Sequence, residues 1–254
     1  MFESLLNATD LTRQEFIILT VIVVVAGIVR GFSGFALSAM IMATAVLILP
    51  PVELLPMLWW LELSASLLML KGGWADADRG TAIGLVIGST AGWPLGLWLT
   101  VTLPVETSKL IALFIIIVLA ASQLSKLKLT FLATKQGLYG TGIVAGIVSG
   151  LAHVGGMVVA LYVLASDAPA RQMRGSLVLF LFLGSLTSMI TLLIFGVMDF
   201  SGVTRGLIFA APTMLGVYLG QKLFIPSLAR YYRPFCLTLL CALALVSIVR
   251  TQTA

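Results

Sequence analysis

The segment Ala26-Gly27-Ile28-Val29-Arg30-Gly31 recurs in the second half of the chain as Ala145-Gly146-Ile147-Val148-Ser149-Gly150. Each copy ends a long apolar run in a glycine-rich break. The first break is Gly31-Phe32-Ser33-Gly34, and the second is Gly150-Leu151-Ala152-His153-Val154-Gly155-Gly156. A repeated break of this kind restricts the fold to two copies of one unit. Hydrophobic segments interrupted by glycine at matching places in two halves point to the binding site of a membrane transporter.

The residues around the breaks settle the solvent. The chain is 60% hydrophobic and 10% charged, against roughly 25% charged in a soluble domain. A soluble fold could not hide that much apolar surface. Its charges gather at 71–79, 126–135, 171–174 and 222–233, separated by apolar stretches of about 20 residues, the length that crosses a bilayer as helix. The sequence therefore predicts an all-α polytopic membrane protein, one transmembrane domain over 1–254. Its net charge of +5 belongs beside lipid headgroups and not on a nucleic-acid surface. Cys236 and Cys241 fall on different helix faces, which argues against a disulfide or a metal pair, and no cofactor is expected. Residues 1–13 lack a basic n-region and read as an amphipathic or loosely ordered lead-in, not a cleaved signal.

Apolar segments run over about 14–29, 35–49, 52–70, 80–100, 106–124, 136–149, 155–165, 173–197, 202–223 and 234–249. Arg79-Gly80 is matched by Arg205-Gly206, and Gly92 with Gly96 by Gly216 with Gly220. Each repeat (about 14–124 and 136–250, joined by a basic linker 125–135) is thus two short broken segments followed by three full-length ones. A continuous helix from Phe16 to Leu49 would be about 50 Å long, against a hydrocarbon core of about 30 Å. The chain must turn back, and a re-entrant hairpin with its tip at Gly31–Gly34 is the expected solution.

Basic residues test that topology. If each hairpin returns to its own side, one face collects Lys71, Arg79, Lys126, Lys128, Lys135, Arg171, Arg174, Lys222, Arg230 and Arg233. The other keeps Arg13, Lys109, Arg205 and Arg250. The positive-inside rule favours this arrangement in a cytoplasmic (inner) membrane, with both termini outside. Two full crossings per broken pair would give the same sidedness. An odd number of crossings per half makes the repeats inverted. The ladder Gly80, Gly84, Gly88, Gly92 and Gly96 leaves one helix face bare for close backbone packing.

These residues resemble the TauE/SafE family, the sulfite and sulfonate exporter-like anion transporters. The likeness extends over about 14–250. It rests on Gly27-Ile-Val-Arg-Gly-Phe-Ser-Gly-Phe35 and Gly146-Ile-Val-Ser-Gly-Leu-Ala-His-Val-Gly-Gly156, on Pro50-Pro51 and Pro169 after the hairpins, and on Arg174-Gly175-Ser176-Leu177. The resemblance implies a substrate among sulfonates, sulfite and small carboxylates.

The break chemistry suits an anion. The second leg of each hairpin begins near Gly34 and near Gly155, where free N–H groups and the positive dipole end face the membrane interior. The expected substrate-binding set is Arg30, Gly31, Phe32, Ser33, Gly34 and Phe35 at one tip, Ser149, Gly150, His153, Gly155 and Gly156 at the other, and Ser176. Arg30 is a bidentate donor for an oxyanion or, equally, half of an internal ion pair with Glu62. Glu62 lies roughly 13 Å inside its segment, and intramembrane acids often mark proton or cation relays. His153 is a ligand, a proton carrier or a structural residue. Phe32, Phe35, Trp59 and Trp60 could form an aromatic wall, Glu53 reads as a helix-start acid, and Arg171 and Arg174 as boundary anchors. Proton or sodium coupling and homo-oligomerisation stay open. An inside-negative potential gives an anion leaving the cell about 2.3 kcal/mol per 100 mV, so export needs no coupling ion.

A second reading comes from Gly31-Phe32-Ser33-Gly34 and Ala152-His153-Val154-Gly155-Gly156, which also look like the serine and histidine motifs of rhomboid intramembrane proteases. That reading requires Ser33 and His153 within hydrogen-bond reach. An anion channel is a third reading.

Overall fold

The computed structural model describes residues 2–125, 134–165, 168–223 and 229–253. Among these there are eleven helices and no strand: α1 Phe2–Thr9, α2 Arg13–Ser33, α3 Leu37–Ala45, α4 Pro51–Asp76, α5 Arg79–Thr102, α6 Val105–Leu124, α7 Lys135–Ala152, α8 Gly155–Ala165, α9 Ala170–Ile194, α10 Phe200–Lys222 and α11 Ala229–Thr253. Most of the expected linker lies outside the described residues, as does the side chain of Cys236. Six helices (α2, α4, α5, α6, α9 and α10) are long and apolar enough to cross a membrane. Their outward faces carry residues such as Phe114, Ile190 and Ile194, which are 64%, 61% and 76% exposed. Only lipid makes such a surface tolerable.

Local chemistry sets the ends. Thr12 and Glu15 form a capping box that starts α2. Pro50-Pro51 starts α4, where a missing N–H costs nothing. Asp78 and Asp199 cap α5 and α10 by accepting from Thr81 N–H and Gly202 N–H, at 3.1 and 3.0 Å.

Of the amphipathic and loosely ordered readings of the lead-in, the described residues form helix α1, whose Thr9 carbonyl accepts from the buried Arg205 at 2.7 Å. One feature departs from the sequence reading. The first break lies later than expected. Gly31, Phe32 and Ser33 continue α2, and the turn is Gly34–Ala36. Helix α2 has 21 residues, about 31 Å at helical rise.

Both halves share one element pattern, a long helix, a short helix and three long helices, and their packing maps onto itself when the halves are exchanged. Helix α2 packs on α10 and α7 packs on α5; α4 meets α9, and α6 meets α11. The glycine ladder explains the first two contacts. A Cβ at Gly88 would lie 2.6 Å from the Tyr139 carbonyl and 2.9 Å from Gly142 Cα. Gly96 similarly faces Gly150, and Gly216 and Gly220 of α10 face Gly27 and Gly31 of α2. Backbone meets backbone, so only hydrogen fits on either side.

Candidate functional site

Helix α2 ends because Gly34 takes a left-handed conformation, φ 83°, which glycine alone adopts without strain. Ala36 follows at φ 76°, and α3 starts one residue later. One turn before the break, Arg30 is fully buried. Its Nη1 donates to the Gly34 carbonyl, so the guanidinium satisfies an acceptor freed by the broken helix. Nη2 donates to Ser66 Oγ at 2.9 Å and lies 3.4 Å from Glu62 Oε2. Of the two readings of Arg30, the internal pair with Glu62 is formed. Glu62 and Ser66 stand one turn apart on the same face of α4 and meet the guanidinium together.

The other Glu62 oxygen faces the start of α3. Oε1 accepts from Ser38 Oγ at 2.8 Å and from Ser38 N–H at 3.4 Å. Ser38 Oγ in turn lies 3.2 Å from His153 Nδ1. The two breaks therefore meet through one hydroxyl.

His153 itself terminates α7 in the left-handed region, φ 56°, and α8 begins two residues later. Its ring stands edge-on to Trp93 with centroids 5.7 Å apart. His153 is 9% exposed, and its Nε2 has no hydrogen-bond partner. The ring borders a narrow cavity shared with Ser89, Ser149, Ser185 and Ser188. That cavity has room for about one water, so this conformation is closed around the histidine. Gly184 also lines it, and a Cβ there would meet nothing within 4 Å.

The remaining sequence candidates fall into different places. Gly31 and Gly150 face α10 and α5 in the backbone-packed interfaces. Gly155 lies against the Ser149 side chain, and Gly156 against Leu181. Phe35 is buried in the core, with Phe32 packed against it. Ser176 Oγ accepts from Asp78 N–H at 3.0 Å, at the α4–α5 turn. Trp59 and Trp60 stand edge to face in a separate apolar cluster, with Trp59 Nε1 donating to the Ser185 carbonyl at 2.8 Å. Glu53 does more than start α4, since it pairs with Arg205 at 2.8 Å. Arg171 forms an exposed pair with Asp76 at 3.3 Å. Arg174 reaches inward instead, donating from Nη2 to the Gly31 carbonyl, with its Cγ against Gly34. Ser38, Ser66, Ser89, Trp93 and the inward reach of Arg174 were missed in the sequence. Only Ser66 had a signal, its one-turn spacing from Glu62.

The protease geometry is not formed. Ser33 Oγ donates to the Phe35 carbonyl at 2.6 Å and accepts from Phe35 N–H at 3.2 Å, a local turn with no histidine in it. The serine that does meet His153 is Ser38, and it stands between acid and histidine. Nucleophilic triads need the histidine in the middle.

A family model described as Sulfite exporter TauE/SafE matches residues 19–247. The chain belongs to this family. No curated protein and no solved structure gives a significant match. The TauE/SafE match contains both breaks, α4 with Glu62, and the α9 stretch that carries Arg174, so the whole cluster lies in the family's territory. As a TauE/SafE member with six apolar helices long enough to span, the chain is a multi-pass transport protein of the membrane.

Proposed function

We propose that the chain exports small oxyanions of the sulfite and sulfonate class, with carboxylates as weaker candidates. In this reading the two halves are inverted repeats in the cytoplasmic membrane, with α2–α3 and α7–α8 as re-entrant hairpins and both termini outside. The substrate sits between the turns Gly34–Ala36 and His153–Val154, near the midplane. The observation that carries the reading is the meeting of the two breaks at Ser38 and His153, 3.2 Å apart. A family match alone would support the class of protein; this contact supports the place.

The chemistry fits an oxyanion. The amino end of α3 and the guanidinium of Arg30 converge on one point, and both stabilise negative charge. Hydroxyls of Ser89, Ser149, Ser185 and Ser188 add neutral polar surface at the second break. Phe180 and Leu181 border the same cavity and suit the short carbon chain of an organosulfonate.

Thermal denaturation of the purified protein with sulfite, methanesulfonate, isethionate and acetate tests this. A ligand at a hundredfold excess over its Kd adds about 2.7 kcal/mol to the folded state, a readable shift. The expected result is stabilisation by a sulfur oxyanion, lost in His153→Ala. If none of the four anions moves the transition, the functional reading falls.

A further inference from the structure

We propose that Glu62 is a built-in anion that holds the substrate's place, and that substrate enters only as Glu62 takes up a proton relayed from His153 through Ser38. One proton then travels with each anion. The inference rests on the functional reading above and adds its coupling.

Glu62 occupies both devices that make the site attractive to an oxyanion. One carboxylate oxygen faces Arg30 at 3.4 Å, and the other receives the Ser38 hydroxyl and the Ser38 N–H at the start of α3. Both side chains of the ion pair are at most 3% exposed. An incoming anion that bonds to Arg30 and to the α3 amino end must displace this carboxylate. A buried carboxylate stripped of its cation neutralises rather than stay charged.

The route for the proton is drawn by three heavy atoms. Ser38 has one hydroxyl proton and gives it to ionised Glu62 Oε1. Its lone pair must then accept from His153 Nδ1–H. Neutral His153 in that state carries its proton on Nδ1 and turns a bare Nε2 lone pair to the cavity, which is the buried ring nitrogen without a partner.

A proton arriving from cavity water at Nε2 makes an imidazolium. The Nδ1 proton passes to Ser38 Oγ while the Ser38 proton passes to Glu62 Oε1. His153 is left neutral with its proton on Nε2. The sum is one proton added to Glu62 and the tautomer of His153 reversed, with Ser38 again a hydroxyl. Two consequences follow at once. Arg30 and the α3 amino end become free, and Nε2 changes from an acceptor, which repels an anion, to a donor, which binds one.

Other charges near α4 are accounted for. Arg174, on α9, is engaged at the Gly31 carbonyl behind the first break. Arg205, on α10, pairs with Glu53 in the first turn of α4. Asp76 and Arg171 pair where α4 ends. Asp78 caps α5, Arg79 lies over Trp74, and Glu106 pairs with Lys109 in the first turn of α6. Among the described residues, Arg30 faces Glu62 directly and His153 faces it through Ser38. For a monoanion the cycle carries no net charge, so in this inference the membrane potential does no work and export runs on the outward anion gradient.

Methanesulfonate is the probe, because it stays anionic at every working pH and brings no proton of its own. The full-length protein in liposomes with an entrapped pH dye, and with potassium and valinomycin setting the potential, gives the stoichiometry. The expected result is a proton flux equal to the anion flux and indifference to the potential. In binding, wild-type affinity falls about tenfold for each unit of rising pH wherever one proton is taken up with each anion. Glu62→Gln binds methanesulfonate with a flat pH profile and transports it without protons. Anion transport with no proton flux, or a flat wild-type profile, overturns the inference and leaves the anion transporter standing. Absence of binding and transport for methanesulfonate and sulfite alike overturns the functional reading itself. The wild-type measurements decide both questions even if Glu62→Gln does not fold.

Discussion

Breaking the Arg30–Glu62 pair from one side and from both sides should give opposite outcomes. At 3.4 Å two unit charges attract by about 5 kcal/mol at an effective dielectric of 20. Desolvating each ion costs several kcal/mol in return, so the intact pair contributes little net stability. Removing one partner is different, because the other is left dry without its counter-charge and must either stay ionised or give up its charge at a cost. Arg30→Met alone is expected to lose about 3–5 kcal/mol, and Glu62→Leu alone a similar amount. The double variant loses the donors to Ser66 and the Gly34 carbonyl, at about 1 kcal/mol each. Ser38 keeps His153 as a partner. The double variant should therefore lie within about 2 kcal/mol of wild type. Tryptophan fluorescence of the purified protein during unfolding by sodium dodecyl sulfate, run on all four proteins, gives the coupling energy. Losses that simply add, with a coupling below about 1 kcal/mol, would refute the picture of a dry, mutually compensated pair.

Two further outcomes follow from the glycines. Gly88→Ala, whose new methyl would meet the α7 backbone, should lose about 1–3 kcal/mol, and Gly216→Ala the same at the α2–α10 contact; Gly72→Ala and Gly140→Ala, which face open space, should be neutral or gain up to about 1 kcal/mol of helix propensity in the same unfolding assay. Gly184→Ala, whose Cβ meets nothing within 4 Å, should narrow the cavity beside His153 and slow methanesulfonate flux in liposomes while the unfolding transition stays within about 1 kcal/mol of wild type.

Helix lengths were readable because apolar runs between charge clusters have one natural solution in lipid. The existence of two breaks was readable for the same reason. Their positions were less so. Gly31 looked like part of the first break, but it lies inside α2 because α10 packs on its bare face. Ala36 and His153 adopt left-handed backbone, which no local propensity of alanine or histidine announces. The Arg30–Glu62 pair was one of two equal readings, drawn from the cost of a lone guanidinium in an apolar run and the depth of Glu62 in its segment. Ser38 carried no signal at all. It becomes a junction only because α3 delivers it between residues from α4 and from the α7–α8 turn, and contact across that much sequence is invisible to periodicity. Arg174 was read as a boundary anchor, whereas the bare Gly34 leaves a slot that its stem fills.

The exchange of packing partners between the halves has a consequence for how such a chain is assembled. Helix α2 completes its glycine face only on α10, and α7 only on α5. A single repeat would carry a groove and the ridge that fits it, yet could not seat one in the other. It would seat them in a second copy instead, each protomer lending its ridge to its partner. The covalent chain is, in that sense, a domain-swapped dimer written in one strand. During synthesis α2 waits, half dressed, for α10, which is made only after seven intervening helices.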